Sequence, residues 1–436
     1  IMKYRALFPP ALTGLLIISV FSTMKNNTES DNKYNDYIKQ ARDAAAYEIY
    51  VDAEADYLEA LKMNKSLEIY NELAEVYMAD NKENEAQDIA KTMVNTFPYE
   101  GQAYTLSAQI YMNYEEYSEI YTLYKKYKNK ELYDEGLEEI YSDIEWLYEL
   151  GNQYGEVDTF ANGLCAITMG EDGDGTWGYI NSTGKKVIDC KYKYAGPFIN
   201  DIAPVETVNN IWYFIDMEGN KKKVLNKLDN VKGIGYVCDA IPVFNGEVWA
   251  YYTDDQKLIC EGYDEAMAMA NGYAAVRKGN SWQLINEKGE GVTDQVYTDI
   301  VVDDKGIAYR NSYFAKQNGK YRMYDIDGNV IGDGVFDNAR LFNPGSDYAA
   351  VMINGKWGFV DASGKQVIEP EYEDARSFAN GVAAVKKNGK WGYIDKNDEM
   401  VIENIFSDAR DFNDAGNALV EDCGTWQMIK LLRYEN

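Results

Sequence analysis

The sequence of 436 residues contains no histidine. Without histidine the chain cannot form a Ser-His-Asp triad, a Cys-His pair or a zinc site of the histidine-containing kinds. It also lacks the side chain that most often moves protons near neutral pH. Because these absences remove many enzyme classes, we expect a protein that is not an enzyme and that has no cofactor.

Basic residues are scarce, since Lys and Arg number 43 against 72 Asp and Glu, which gives a net charge of −29. An acidic chain repels the phosphate backbones of DNA and RNA, whose binding requires clustered Lys and Arg. Anionic lipid surfaces are poor partners for the same reason. We therefore expect no nucleic-acid partner.

Cysteine and proline are also few, with five and eight copies. The cysteines include no Cys-x-x-Cys pair, so we expect each to be a small buried residue rather than part of a disulfide framework or a metal site. Hydrophobic residues make up 46% of the chain, which is enough for a sizeable core. The length corresponds to about three domain-sized blocks or to a long repeat array.

The N-terminal segment from Ala6 to Met24 has 19 residues without a charge. This is close to the ~20 residues that span a bilayer. Lys3 and Arg5 precede it, so the positive-inside rule keeps the N-terminus in the cytoplasm and places the rest of the chain outside. Residues 1–30 are therefore predicted to be a single-pass membrane anchor with a polar tether, and residues 6–24 are the only expected contact with the membrane. The alternative is a signal peptide cleaved near Ser22, which would leave a secreted protein.

Residues 31–150 show helical periodicity, because apolar residues recur every three or four positions and Gly and Pro are almost absent. A period of 33 to 34 residues is visible, in which Tyr37 and Ala41 return as Tyr70 and Ala74. Small residues are predicted to let paired helices pack closely at Ala41, Ala53, Ala60, Ala74, Ala86 and Ala108. This pattern resembles a tetratricopeptide (TPR) array, and the resemblance implies a concave groove that holds peptide segments. An unrelated stack of helical hairpins is the alternative.

A last helix from Glu131 to Leu150, containing Trp146, is predicted to cap this array. Between Asp31 and Leu150 the chain has 27 acidic and 11 basic residues. A partner of the helical half is therefore expected to be basic or neutral.

Residues 151–436 consist of short runs rich in Val, Ile, Tyr, Phe and Trp, separated by Gly, Asn and Asp, which predicts an all-β region. An aromatic residue recurs every 33 to 39 positions and defines eight repeats, numbered here 1 to 8 in chain order, at Trp177, Trp212, Trp249, Trp282, Tyr321, Trp357, Trp391 and Trp426. Glycine follows the tryptophan at Gly178, Gly358 and Gly392. These repeats resemble the WG-repeat (KWG) family of bacterial proteins. The resemblance implies a fold but no reaction.

Each repeat is predicted to contain short strands joined by tight turns. Asn354-Gly355 and Asn388-Gly389 favour two-residue type I′ hairpins, and an Asn or Asp four residues after the aromatic position favours a second turn. Strands such as the one around Trp357 are apolar on both faces, so neighbouring sheets are expected to stack. Stacked sheets indicate a β-propeller, with an open β-solenoid as the alternative. Because the eighth repeat ends soon after Trp426, one blade is expected to be incomplete.

The predicted protein is thus a multidomain chain, all-α with TPR-like repeats and then all-β with eight WG-type repeats, divided at residues 1–30, 31–150 and 151–436. We expect the repeat tryptophans to be core residues rather than platforms for sugars. The leading hypothesis is a protein-interaction scaffold on the bacterial cell surface with an unidentified protein partner. A module that binds cell-envelope glycan through exposed tyrosines of the β half is the alternative. A glycan hydrolase with two catalytic carboxylates is the third hypothesis.

Overall fold

The computed structural model describes residues 3–4, 29–169, 175–199, 201–222 and 231–434. They form two compact units: a helical unit, up to Leu147 and again from Leu431, and a propeller unit, Tyr148 to Lys430 together with residues 3–4. The predicted membrane anchor at residues 6–24 lies outside the described residues. In the part of the chain that is described, no helix has both the length and the apolar character needed to cross a membrane.

The helical unit contains seven α-helices within its described residues: α1 (Glu29–Ala46), α2 (Tyr50–Met63), α3 (Leu67–Ala79), α4 (Glu83–Thr96), α5 (Gly101–Asn113), α6 (Tyr117–Lys128) and α7 (Glu135–Ile144). Each helix packs against the next, and α5 also contacts α7. Short connections join antiparallel neighbours in such arrays, so every second turn lies at the same end of the unit.

The alanines that were predicted to lie between helices are all buried, with 0% exposure at Ala41, Ala53, Ala60, Ala74, Ala86 and Ala108. Their small side chains allow the helix backbones to approach each other. Aromatic rings fill the wider spaces. Tyr104 and Tyr127 are both fully buried, and their ring centres lie 5.8 Å apart.

The last helix is shorter than the predicted span from Glu131 to Leu150, because α7 runs only from Glu135 to Ile144. Asp134 caps its start, accepting a hydrogen bond from the backbone N–H of Gly136 at 3.2 Å. Beyond α7, the residues from Tyr148 to Tyr154 form a β-strand of the propeller unit. Pairing with a distant strand therefore overrides the local helical pattern there.

The end of the chain returns to the helical unit as a short 3₁₀-helix, Leu432–Tyr434. The backbone N–H of Leu432 donates to the carbonyl of Leu147 at 2.9 Å. Arg433 forms an ion pair with Glu145, and its guanidinium lies 3.9 Å from the ring centre of Trp146. Trp146 thus packs against a C-terminal arginine instead of lying within a capping helix.

The propeller unit is built from short antiparallel strands. The first two are β1 (Lys3–Tyr4) and β2 (Tyr148–Tyr154). Repeats 1 and 2 contain β3 (Leu164–Thr168), β4 (Trp177–Asn181), β5 (Lys186–Ala195), β6 (Ile202–Thr207) and β7 (Trp212–Asp216). Repeats 3 and 4 contain β8 (Gly233–Ile234), β9 (Ile241–Phe244), β10 (Trp249–Tyr252), β11 (Leu258–Tyr263), β12 (Glu265–Ala266), β13 (Tyr273–Lys278) and β14 (Ser281–Asn286).

The remaining repeats follow the same order, with a short inner strand first. Repeats 5 and 6 contain β15 (Asp299–Ile300), β16 (Tyr313–Gln317), β17 (Lys320–Tyr324), β18 (Asn338–Ala339), β19 (Tyr348–Ile353), β20 (Lys356–Asp361) and β21 (Gln366–Tyr372). Repeats 7 and 8 contain β22 (Asp374–Ala375), β23 (Val382–Lys387), β24 (Lys390–Asp395), β25 (Met400–Phe406), β26 (Asp408–Ala409), β27 (Asn417–Asp422) and β28 (Thr425–Leu431).

Among the described residues these strands form seven hydrogen-bonded sheets, although the sequence has eight repeats. The sheet of β3 to β7 contains both repeat 1 and repeat 2, because β5 pairs with β4 on one side and with β6 on the other. The first and last repeats share one core cluster, in which Trp426 packs with Cys165 and Ile167. The ring is therefore closed. The predicted β-propeller is confirmed, and the open solenoid is not what forms.

The prediction of an incomplete blade is wrong. Strand β2 lies beside β28 and supplies the outer strand of repeat 8 from residues that precede repeat 1. Gly151 lies close to that strand, since a Cβ at this glycine would be 3.5 Å from Cβ of Met428. Pairing the two ends of the propeller satisfies backbone groups that would otherwise form an open sheet edge.

The predicted turns are present. Gly355 and Gly389 follow Asn354 and Asn388, and all four residues have positive φ, as a type I′ hairpin requires. In six repeats, Oδ1 of the Asn or Asp four residues after the aromatic position accepts a hydrogen bond, at 2.7 to 3.1 Å, from the backbone N–H four residues later. These residues are Asn181, Asp216, Asn286, Asp325, Asp361 and Asp395.

The expectation that every cysteine is buried holds fully for Cys165 alone. The other four are half-buried or, at Cys423, exposed. Cys423 has a φ of 50° and precedes Gly424, so it occupies the hairpin position that Asn354 and Asn388 occupy in repeats 6 and 7. Its exposure follows from this place in the turn.

Candidate functional site

The Trp-Gly pair has a steric cause in the propeller. A Cβ on Gly178 or Gly358 would lie 2.5 or 2.6 Å from the carbonyl oxygen of an isoleucine in the neighbouring strand, and Gly392 has the same surroundings. The register of strand pairing shifts at each of these positions. Glycine is required there because the adjacent backbone leaves no room for a side chain.

The aromatic residue of each repeat packs inside the propeller. Its exposed fraction is between 5% and 9% in repeats 4 to 8, at Trp282, Tyr321, Trp357, Trp391 and Trp426. Trp177, Trp212 and Trp249 are half-buried. An arginine packs on two of these rings. The guanidinium of Arg340 lies 5.2 Å from the ring centre of Trp357, and that of Arg410 lies 4.9 Å from the ring centre of Trp426. Such contacts are typical of cation–π packing.

These arginines occupy a repeated position, directly after the short inner strand. Arg340, Arg376 and Arg410 follow the inner strands of repeats 6, 7 and 8, and Asp158 has the equivalent position in repeat 1. The inner strands of a propeller surround its central channel. All four side chains line one cavity of about 480 Å³, together with Arg310.

A long loop of repeat 5 lies across this cavity. Twelve residues separate β15 from β16, whereas the other repeats have six to eight at this place, and the difference accounts for the long interval between Trp282 and Tyr321. We call residues 302–310 the crossing loop. The carbonyl of Gly306 accepts a hydrogen bond from Ala268 of repeat 4 at 3.0 Å.

The crossing loop is held by its own carboxylates. Oδ1 of Asp303 accepts hydrogen bonds from the backbone N–H groups of Lys305 and Ile307 at 2.9 and 2.8 Å, and Asp303 also pairs with Arg310. Asp304 then reaches Arg376 of repeat 7, where Nη1 lies 3.1 Å from its Oδ2. The loop is therefore ordered at the mouth of the channel.

Three of the four cavity arginines have partners in the next repeat. Nη1 of Arg310 donates to the carbonyl of Phe342 at 2.9 Å. Nη2 of Arg340 donates to Asp374 at 3.0 Å, although its Nε is buried without a partner among the described residues. Nε of Arg376 donates to the carbonyl of Ala409 at 2.8 Å. These bonds join successive repeats around the channel.

Arg410 differs from the other three. Its Nε is buried without a hydrogen-bond partner among the residues that the structure describes, and its guanidinium lies against the Trp426 ring. A guanidinium carries five N–H donors, so several are available to a ligand. Its backbone carbonyl is fixed by the hydroxyl of Tyr393 at 2.7 Å, which places the residue firmly.

Two carboxyls, Asp411 and Asp158, line the same cavity as this guanidinium. Oδ2 of Asp411 accepts a hydrogen bond from Asn343 at 3.0 Å, while Oδ1 is buried without a partner among the described residues. Burial raises the pKa of Asp411 above its usual value, although the charge of Arg376 opposes the shift. Burial raises the pKa of Asp158 in the same way. The cavity therefore combines unsatisfied donors with an unsatisfied acceptor.

The tyrosines of the propeller do not form the exposed surface that the glycan hypothesis requires. Every described tyrosine between residues 148 and 430 is buried or half-buried. The hydroxyls of Tyr297 and Tyr313, for example, bond to each other at 2.7 Å inside the core. The expectation of exposed tyrosine contacts is wrong, because the repeat places these rings between neighbouring sheets.

The positions predicted from the sequence lie in the cores of the two units and are not brought together into one site. The cavity itself was missed by the sequence analysis. Its signal was nevertheless visible, because Ala-Arg occurs three times inside the same repeated segment, at Arg340, Arg376 and Arg410. For the crossing loop, the only indication in the sequence was the long interval between Trp282 and Tyr321.

The closed ring and its central cavity define a β-propeller. Five segments of it, residues 177–212, 249–282, 321–357, 357–391 and 391–426, match the family model described as WG containing repeat. The propeller thus contains WG repeats, as the Trp-Gly pairs indicated. A search of curated proteins gave no match.

The solved structures that match share little sequence with this chain. BamB from Moraxella catarrhalis is 10% identical, with 65% of this chain and 96% of that chain covered and a TM-score of 0.39. The Pan2 WD40 domain of Neurospora crassa is 11% identical, with coverage of 55% and 89% and a TM-score of 0.31. Apo AztD from Citrobacter koseri is 11% identical, with coverage of 63% and 89% and a TM-score of 0.35.

Proposed function

We propose that the chain is a non-catalytic protein-interaction scaffold of the bacterial cell surface. Its helical unit, with TPR-like repeats, is the arm that binds peptide segments of a partner protein. The propeller unit adds a second set of stacked repeats, and such repeats offer broad surfaces for binding.

The observation that carries the proposal is a pair of exposed tyrosines at one end of the helical unit. Tyr99 is 75% exposed in the turn between α4 and α5, and Tyr133 is 79% exposed in the turn between α6 and α7. The two turns are in contact, because a Cβ on Gly101 would lie 3.1 Å from the carbonyl oxygen of Tyr133. Exposed rings of this kind are common in protein-binding surfaces.

The charge of the helical unit indicates the chemistry of the partner. Acidic residues outnumber basic ones by 27 to 11 between Asp31 and Leu150. The Tyr99 ring already has a cation on its face, since Nζ of Lys130 lies 4.5 Å from the ring centre. A basic peptide would combine attraction to the acidic surface with cation–π contacts to the two rings.

The test uses the full chain and two labelled peptide libraries. In one, Lys and Arg alternate with apolar residues; in the other, Asp and Glu replace the basic residues. We expect the basic library to bind, with an affinity that falls as salt rises. The double substitution Tyr99→Ser and Tyr133→Ser should reduce the affinity about tenfold.

The matched control is Tyr47→Ser, because Tyr47 is 79% exposed but lies in the turn between α1 and α2, at the opposite end of the unit. It should leave binding unchanged. Equal losses in the control and in the double variant, or preference for the acidic library, would contradict the proposal.

A further inference from the structure

The channel cavity of the propeller concentrates charge in a way that the scaffold function does not explain. Four of the nine arginines of the chain line it. The chain as a whole is strongly acidic, yet the cavity has five cationic side chains and five carboxylates in its lining. The formal charges of the lining therefore cancel, although groups of both signs are concentrated there.

A neutral but divided site selects ligands by charge pattern. A simple anion would gain from Arg410 but would meet the carboxyls of Asp158 and Asp411, and a simple cation would meet the arginines. A zwitterion avoids both costs, because each of its charges has an opposite group in the cavity. Like-charge contacts inside an interface are a strong source of specificity.

The unsatisfied groups of the cavity match this pattern. Nε of Arg410 and Nε of Arg340 are both buried without a hydrogen-bond partner among the described residues. On the acceptor side, Oδ1 of Asp411 is buried without a partner in the same described set. Leaving buried donors and acceptors unpaired is costly, so a ligand that supplies both a carboxylate and an ammonium group would be stabilised.

The cavity also has apolar walls. Phe160, Leu341 and Phe412 are part of its lining, next to the charged groups. Its volume of about 480 Å³ lies in the range of small-molecule sites, which are about 300 to 1,000 Å³. An apolar side chain on the ligand would therefore find contacts there.

We propose that the channel cavity binds a free zwitterionic amino acid with an apolar side chain. Arg410 binds the ligand carboxylate, Asp411 and Asp158 bind its ammonium group, and the apolar walls contact its side chain. The site lies entirely within the propeller unit, so it is independent of the peptide-binding surface proposed for the helical unit.

The experiment is isothermal titration calorimetry with the full chain and three matched probes. L-leucine carries both charges, 4-methylpentanoate lacks the ammonium group and 3-methylbutylammonium lacks the carboxylate. We expect L-leucine to bind at least tenfold more tightly than either analogue. L-phenylalanine is titrated as a second amino acid of the same class. No binding of either amino acid, or equal binding of the three matched probes, overturns the proposal.

Two substitutions assign the roles. Arg410→Gln should reduce the affinity for L-leucine at least tenfold, while Arg322→Gln, at a propeller arginine outside the cavity, should leave it unchanged. Asp411→Asn should lower the affinity for L-leucine. It should not lower the affinity for 4-methylpentanoate, because it removes a carboxylate that repels that probe. The proposal is wrong if Asp411→Asn lowers the affinity for both ligands equally. It is also wrong if Arg322→Gln lowers the affinity for L-leucine as much as Arg410→Gln does. Should Arg410→Gln prevent folding, the Asp411→Asn comparison decides alone.

Discussion

Nη1 of Arg376 lies 3.1 Å from Oδ2 of Asp304, although Arg376 belongs to repeat 7 and Asp304 to repeat 5. Side chains from repeats that are not neighbours meet only close to the axis of a propeller. This ion pair therefore joins the crossing loop to the wall of the channel at repeat 7. The two ends of the pair differ in burial, since the side chain of Asp304 is 48% exposed and that of Arg376 is 11% exposed.

The first prediction follows from this asymmetry. Asp304→Asn should lower the free energy of unfolding by less than about 1 kcal/mol, because exposed ion pairs contribute little. Arg376→Gln should lower the free energy of unfolding by about 1.5–3 kcal/mol, because it also removes the charged hydrogen bond to the carbonyl of Ala409. Urea unfolding monitored by tryptophan fluorescence gives both values.

Hydrogen exchange separates a local from a global effect in the same variants. In Asp304→Asn, faster exchange should be confined to the crossing loop, residues 302–310. Uniformly faster exchange across the propeller, or a larger loss of stability than in Arg376→Gln, would show that this account of the pair is mistaken.

The second prediction concerns the glycine of the Trp-Gly pair. Gly358→Ala places a Cβ about 2.6 Å from a backbone carbonyl oxygen, so either the strand shifts or the pairing breaks. Overpacking of this kind costs about 1–3 kcal/mol. Gln427→Ala is the matched control, because Gln427 follows Trp426 at the equivalent position of repeat 8 and already has a side chain. A thermal unfolding midpoint that is unchanged in Gly358→Ala would refute the steric reason for glycine.

The repeat architecture could be predicted from the sequence because its signals are local. A tryptophan, a turn residue four positions later and an Asn-Gly pair each act within one hairpin, as at Trp357, Asp361 and Asn354. The closing strand from Tyr148 to Tyr154 could not be predicted in this way. It contains no repeat motif, and its partner β28 lies at the other end of the propeller sequence.

The candidate site was predictable only in part for a similar reason. Arg340, Arg376 and Arg410 share a repeated position that is visible in the sequence. The burial of Asp411 and the contact of Asp304 with Arg376 depend instead on how loops from different repeats meet at the channel. Such contacts have no periodic signal, because each repeat contributes a different loop.

The third prediction tests the bonds that join successive repeats. Asn343 donates to the carbonyl of Ser377 at 3.1 Å and to Asp411 at 3.0 Å, so Asn343→Ala leaves two acceptors unpaired. We expect a loss of about 1–3 kcal/mol in unfolding free energy. Gln283→Ala, which removes a single bond to the carbonyl of Thr293 at a residue in β14, is the comparison and should lower the free energy of unfolding by less. Equal losses of unfolding free energy in the two variants would mean that the hydrogen bond from Asn343 to Asp411 does not stabilise the fold.

The fourth prediction concerns pH and the buried carboxyl of Asp411. Burial raises its pKa above the usual value of 3.8, so the folded protein binds this proton more tightly than the unfolded chain does. Between the usual and the raised pKa, the folded state holds more protons, and stability falls as pH rises. The neighbours Arg340, Arg376 and Asn343 oppose this shift, and Asp304 adds to it.

Asp411→Asn removes this titration, so its stability relative to the unsubstituted protein should improve as pH increases from 4 to 7. Urea unfolding at a series of pH values measures the difference directly. Asp414→Asn is the control, because it removes an exposed carboxylate from the same loop and reports the effect of charge removal alone. If Asp411→Asn instead loses relative stability as pH rises, Asp411 is stabilised as a carboxylate by Arg340 and Arg376, and burial is not the dominant influence on its pKa.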